Sequence, residues 1–259
     1  TPDVFRHDQL LLSKIPDLSA DMARIVNEGL KDLYFITTEA GDLSITSKGG
    51  HKTDRNLYIS VMGGVTVHNL KAHGICVQAR SLKIRGTGND ITHLDYIKPD
   101  DEDEAVMTLQ EEGHLQVQHM RLHKTTFNNY GKAIVESMTG TQAFLHNYED
   151  LEADLTGHFR TVSNKGMAAI YSGKVTADVV IVHNENMMTL LAGSHLRGRT
   201  LQIDHKNARF KAQDAHINVN DISNKGHLVV EGASKLSAKR LTNQKGATLT
   251  AAGTYKIGT

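Results

Sequence analysis

Ile222-Ser-Asn-Lys-Gly226 is followed by Leu228 and Val230, by Gly232, Leu236, Ala238 and Leu241, and by Asn243, where the same succession of residue types begins again. The quartet Ser163-Asn-Lys-Gly166 returns as Ser223-Asn-Lys-Gly226, 60 residues later. Three periods of about 20 residues fill that gap, and a period in this range marks a stacked repeat.

Working outward from the quartet, anchors fall at Gly113, Gly131, Glu149, Gly166, Asn186, Ala208, Gly226 and Gly246, at spacings of 18, 18, 17, 20, 22, 18 and 20 residues. The second and fourth positions after them run Leu115 and Val117, Ala133 and Val135, Leu151 and Ala153, Ala168 and Ile170, Met188 and Leu190, Phe210 and Ala212, Leu228 and Val230, Thr248 and Thr250. Fourteen of these 16 slots are apolar, where a 39% apolar composition gives about six, so the spacing follows burial. The last coil fits better one residue on, as Leu249 and Ala251. A second register, not used to set the anchors, agrees: Val175, Ala177 and Val180; Leu196, Gly198 and Leu201; Ile217, Val219 and Ile222; Leu236, Ala238 and Leu241.

Alternation with a period of two means strands, and a unit of about 20 residues is too small to bury its own apolar face. Successive coils must therefore stack, each strand pairing in parallel with its equivalent at a spacing of about 4.8 Å. The expectation is an all-β fold: a parallel β-helix of about 18–22 residues per coil, a narrow monomeric rod. Small inward residues such as Ala133, Ala153 and Ala168 predict an interior filled by side chains. Asn164, Asn186, Asn207, Asn224 and Asn243 recur near one corner and predict a structural amide ladder, because Asn tolerates turn backbone and can bond the amide above it.

Toward the N-terminus the alternation continues through Ile84, Leu82, Val77, Ile75, Val67, Val65 and Ile59 to Leu43, so residues 42–259 are assigned to the solenoid. Pro99-Asp-Asp-Glu-Asp-Glu104 interrupts it; adjacent carboxylates predict a solvated loop, without the alternating ligands and turn glycine of a calcium loop. Residues 1–41 break the period. Met22, Ile25, Val26, Leu30, Leu33 and Tyr34 recur at helical spacing after the N-cap candidates Asp17 and Ser19, predicting a helical cap or a linker.

Basic and acidic residues balance at 29 each, so no global field draws the chain to nucleic acid or an anionic membrane. Cys76 stands alone, which excludes an internal disulfide and a multi-cysteine zinc site. No apolar run reaches the length of a membrane span. A first residue Thr1 and a last coil without polar capping residues are expected of a piece of a longer protein.

Among 15 histidines, only His195 and His216 of the set His158, His195 and His216 sit on neighbouring coils; surface histidines, with no metal site and no cofactor, are expected. Asp90 and Asp95, with Lys83 and Arg85, are the one group resembling the carboxylate pair and cation needed to cut an acidic polysaccharide. No equivalent register follows in later coils, so catalysis is not expected and a polysaccharide-binding or polysaccharide-cleaving β-helix is the alternative. Arg197, Arg199, Lys206, Arg209 and Lys211 form a basic stripe. Arg197, Arg199, Arg209 and Lys211 are candidate contacts to sulfated glycans through charge-assisted bonds, set against a plain solvated face.

Leu241-Thr-Asn-Gln-Lys-Gly-Ala-Thr-Leu-Thr-Ala-Ala-Gly253, with Ile222-Ser-Asn-Lys-Gly-His-Leu-Val-Val-Glu-Gly232 and Val162-Ser-Asn-Lys-Gly166, resembles the repeats of filamentous haemagglutinin-like proteins. These are exported adhesins and toxin carriers of two-partner secretion. The likeness covers about residues 113–259. It implies a right-handed β-helix, a bacterial secreted or cell-surface location and an outer-membrane transporter as export partner. It also implies a stalk or adhesin that meets a receptor or glycan on a host or neighbouring cell. The Asn-Pro-Asn motifs of that family's secretion domain do not occur in the chain, so the resemblance is to the repeats alone.

Overall fold

The computed structural model describes residues 23–27, 32–36, 41–172, 177–252 and 254–258. They build a parallel β-solenoid of about 11 turns, with no helix among the described residues. The chain divides into two compact units, Thr1–Val135 and Glu136–Thr259, taken in turn.

In Glu136–Thr259 the repeat positions stack one above another. One inward column runs Leu151, Ala168, Met188, Phe210, Leu228 and Leu249, and the next runs Ala153, Ile170, Leu190, Ala212, Val230 and Ala251. The steps are 17, 20, 22, 18 and 21 residues, which are the anchor spacings with the last coil moved on by one. Every column member up to Val230 is buried, and each fully buried Leu, Ile, Val, Phe or Met contributes roughly 1.5–3 kcal/mol.

Corners appear as slips in the alternation. In strand His216–Asn224, Ile217, Val219, Ile222 and Asn224 are buried, so the inward phase shifts between Val219 and Ile222 while the strand continues. The second register holds at Leu196, Ile217 and Leu236, which pair in sequence, and at Leu201, Ile222 and Leu241. It is corrected one coil earlier. Ala177, Val179 and Val182 occupy those positions instead of Val175, Ala177 and Val180, and Val175 lies outside the described residues. Ala177 comes 11 residues after Gly166, where Ile217 comes nine after Ala208; corner length varies while the pattern within a strand does not.

The anchor glycines answer to close approach. A Cβ on Gly166 would run into the carbonyl oxygen of Glu149 on the coil before, and one on Gly226 into those of Ala208 and His205. Only a residue without a side chain lets the coils close there.

In Thr1–Val135 the same construction uses other residues. Leu43, Val65, Leu82, Met107 and Phe127 form one column at steps of 22, 17, 25 and 20 residues. Facing them, Phe35, Ile59, Val77, Tyr96 and Leu122 form another, and the Tyr96 hydroxyl donates to Ala79 O at 3.0 Å. The 25-residue step holds the acidic loop between strands Asn89–Ile97 and Val106–Leu109, with Asp100, Asp101, Asp103 and Glu104 exposed.

The helical reading of the N-terminal stretch is overturned where it can be seen. Ala23–Asn27 pairs in parallel with Leu43–Ser47, and Leu33–Ile36 with Thr53–Ser60, so Ile25, Val26, Leu33 and Tyr34 are in strands and the solenoid extends before residue 42. Ile25 and Phe35 are buried on the columns of the following coil. Two alternating stretches separated by a connection mimic a spacing of three and four. Asp17, Ser19, Met22 and Leu30 lie outside the described residues.

Candidate binding surfaces

The inward columns are closed by side chains, so chemistry available to a partner lies at corners and on outward faces. The most regular corner carries the asparagines. Asn164, Asn184, Ile203, Asn224 and Asn243 are successive partners in register, and Asn147 donates to Asn164 Oδ1 at 2.8 Å. Asn164 Nδ2 shares its hydrogens among Gly166 O at 2.9 Å, Asn184 Oδ1 at 3.0 Å and Met187 O at 2.8 Å, while its Oδ1 accepts from Gly166 N at 3.2 Å. Asn224 repeats the set with Asn243 Oδ1, Thr248 O and Gly226 N. The Asn-Lys-Gly sequence is thus a turn closed by a buried amide.

Asn186 and Asn207 are corrected out of this ladder. Both are exposed in turns, Asn186 donating from Nδ2 to Lys165 O at 3.0 Å and Asn207 from its backbone N to His205 Nδ1 at 3.1 Å. The ladder position is the last inward residue of the strand, ahead of the turn. Asn147 and Asn184, missed in the sequence, could have been found by carrying the alternation one step past Leu145 and Val182.

The basic stripe is also divided. Arg197 and Arg199 lie on strand His195–Ile203, which pairs with Ala177–Asn184 and His216–Asn224. Arg209 and Lys211 lie on Arg209–Gln213, which pairs with Met187–Leu190 and His227–Glu231. The intervening turn, where Lys206 is exposed, carries the chain from one wall to another. Arg197 lies 3.8 Å from Asp178 and Lys211 3.4 Å from Glu231, so each also has an acidic neighbour.

Around Arg197 the register gathers different company. His195, His216 and Lys235 are successive partners, as are Arg197, Asn218 and Ser237, and together with Leu196 and Ile217 they line a depression of about 370 Å3. The two imidazole centroids are 4.5 Å apart at 69°. Burial first, then the neighbouring His195 and Lys235, holds His216 below the ordinary histidine range. A bound anion would favour its protonation. Lys235 was not singled out in the sequence; its position 19 residues after His216 is the signal.

In the other unit, the exposed His93 and His119 rings stack with centroids 5.0 Å apart, and His73 meets His93 edge-to-face at 5.2 Å. Asp90 pairs with Lys52 at 2.9 Å and Asp95 with Arg121 at 3.2 Å. Lys83 and Arg85 sit on Ser81–Arg85, whose partners are Gly64–His68 and Val106–Leu109, so they do not join the two aspartates in one cleft. Cys76 is buried in register with Asp95, and burial first, then that carboxylate, pushes its thiol up, keeping it protonated.

Among the described residues, one set of potential metal ligands converges: His183, Glu185 and Asp204, with ligand atoms within 4.8 Å of one another. Among those residues, no helix is long and apolar enough to cross a membrane. No family model, no curated protein and no solved structure matches the chain. The fold therefore rests on its own strand register, and the haemagglutinin-like resemblance on the repeat residues that carry it.

Proposed function

We propose that the chain is a non-catalytic structural and binding segment of a bacterial secreted or cell-surface protein. Its outward faces meet a receptor or an anionic glycan on a host or neighbouring cell. The observation that carries the glycan reading is the depression lined by Arg197, Lys235, His195 and His216, with the hydrogen-bonding side chains of Asn218 and Ser237 beside them. Arg and Lys meet a sulfate or uronate through charge-assisted bonds, and polar side chains one coil apart meet successive hydroxyls. The filled interior supports outward presentation. Export through an outer-membrane transporter is supported by the repeat resemblance alone.

A panel of sulfated, uronate-bearing and neutral oligosaccharides tests this reading, with reducing ends assayed in parallel. Saturable, salt-weakened binding to the anionic members is expected, with no new reducing ends. Arg197→Ala and Lys235→Ala should each weaken it about tenfold, as removal of a charged hydrogen bond does. Equal binding to neutral sugars would overturn the glycan assignment. Turnover abolished by Asp90→Ala and Asp95→Ala would favour the polysaccharide-cleaving alternative.

A further inference from the structure

Directly after the ladder positions Asn164, Asn184, Ile203 and Asn224 come Lys165, Glu185, Asp204 and Lys225, a row of charges one coil apart. The main chain fixes their placement. Glu185 N donates to Asn164 O at 2.8 Å, Asp204 N to Asn184 O at 2.9 Å and Lys225 N to Ile203 O at 2.8 Å. The two lysines hold the outer oxygens of the two carboxylates: Lys165 Nζ is 3.7 Å from Glu185 Oε2, and Lys225 Nζ is 2.7 Å from Asp204 Oδ1. The inner oxygens face a single ring nitrogen. His183 Nε2 lies 3.0 Å from Asp204 Oδ2 and 3.9 Å from Glu185 Oε1. These three side chains are 23, 35 and 34% exposed, so their common point opens to solvent on one side.

We propose that His183, Glu185 and Asp204 bind a divalent metal of the zinc, nickel and copper class, with Lys165 and Lys225 fixing the carboxylates from outside. Bonds of about 2.0–2.2 Å at tetrahedral angles separate donor atoms by about 3.4 Å. The two separations from His183 Nε2, 3.0 and 3.9 Å, bracket that value, and all three donor atoms lie within 4.8 Å of one another, so side-chain adjustments of about 1 Å bring them onto one ion. His183 Nε2 then gives its lone pair to the metal in place of its hydrogen bond with Asp204, and water takes the open positions.

The donor set chooses the class. One imidazole beside two carboxylates suits borderline ions, whereas calcium takes six to eight oxygens. Two lysines and two carboxylates sum to no net charge. The site therefore collects ions through its donors and not through its field, and it binds less tightly than a closed structural zinc site. The inference is independent of the glycan reading, whose residues lie on other positions.

Titration calorimetry of the full chain at pH 7.5 with zinc chloride, nickel chloride and calcium chloride tests it. One equivalent of zinc or nickel should bind saturably, with no heat from calcium. His183→Asn and Glu185→Gln should each weaken binding tenfold or more. Far-UV circular dichroism of each variant checks the fold. Absence of saturable binding overturns the proposal. So does unchanged affinity in a folded His183→Asn, which would move the ion to another histidine group such as His73, His93 and His119.

Discussion

The coil-closing turn is made in two ways. In Glu136–Thr259 one device is repeated at Asn147, Asn164, Asn184 and Asn224 and skipped at Ile203: an amide at the end of the strand ties the turn after it to itself and to the next coil, most regularly in the two Asn-Lys-Gly turns. In the other unit the column that ends the strand is aliphatic from Ile25 through Ile45, Val67, Ile84 and Leu109, and only its last member, Asn129, is a buried amide that accepts from the turn at Gly131 N. There the polar bonding is improvised. Asn27 donates to Thr53 Oγ1 and Lys71 O, Ser47 Oγ accepts from Lys71 N, and Asn89 accepts from Leu70 N while donating to the carbonyls of Arg85, Gly86 and His114. A buried amide used in register demands the same turn geometry each time, met by Ser-Asn-Lys-Gly at Asn164 and Asn224 and by other residues after Asn147 and Asn184. An aliphatic column demands nothing of the turn after it, and an insertion such as the acidic loop is tolerated there.

The sharpest way to break this contrast is Asn164→Leu. It removes the amide bonds to Gly166 O, Met187 O and Asn184 Oδ1 and the oxygen that accepts from Gly166 N and Asn147 Nδ2, and each such bond contributes about 0.5–1.5 kcal/mol net. A loss of about 3 kcal/mol or more is expected in denaturant unfolding, with hydrogen exchange accelerated first across residues 164–187. Ile84→Val on the aliphatic column should cost only about 0.5–1.5 kcal/mol. A loss below about 1 kcal/mol in Asn164→Leu would show that the amide is an ornament of the turn and not its clamp.

A paired substitution sharpens the same point. Ile203 interrupts the ladder between Asn184 and Asn224 and is fully buried. Ile203→Asn gives up aliphatic burial but meets an amide on either side, so the net change should stay within about 1 kcal/mol. Ile84→Asn places the same amide between Val67 and Leu109 and should cost about 3 kcal/mol. Equal losses at the two sites would dissolve the distinction between the columns.

The inward columns were legible because a period of two, repeated at intervals near 20, leaves little choice of phase: Leu228, Val230, Ile217 and Ile222 fall where the sequence places them. The ladder was half legible. Asn occurs both as the last inward residue, at Asn164 and Asn224, and as a turn residue, at Asn186 and Asn207, and residue type alone does not tell these roles apart. The strands Ala23–Asn27 and Leu33–Ile36 were hidden because short alternating pieces can imitate helical spacing. Outward constellations were least legible. Arg199 and Arg209 are ten residues apart yet on different walls, whereas His183, Glu185 and Asp204 meet only once the register between coils is known. Corner lengths that change from coil to coil conceal that register.

The smallest expected effect is acid sensitivity, and it separates the units through their histidines. Burial first, then His119 and His73, with Arg121 acting alongside and Asp95 opposing, holds His93 below its ordinary value. Burial, then Lys165, does the same for His146, whose Nδ1 lies 2.6 Å from Ser163 Oγ. His216 is lowered by burial and by His195 and Lys235. When the folded value lies below the unfolded one, the unfolded chain binds more protons between the two. The stability these groups allow is therefore fully present above the ordinary value of 6.5, and it is lost as pH falls through the folded values. The denaturant midpoint should be lower at pH 5.5 than at pH 7.5, by less than Asn164→Leu or Ile84→Asn lowers it. His93→Gln should remove part of that loss, and hydrogen exchange should place the rescue on amides of the unit ending at Val135, leaving the acid response around His146 and His216 unchanged. A midpoint that rises on acidification would mean that these rings gain more from protonation in the stacked coils than they lose to burial and to the cations beside them.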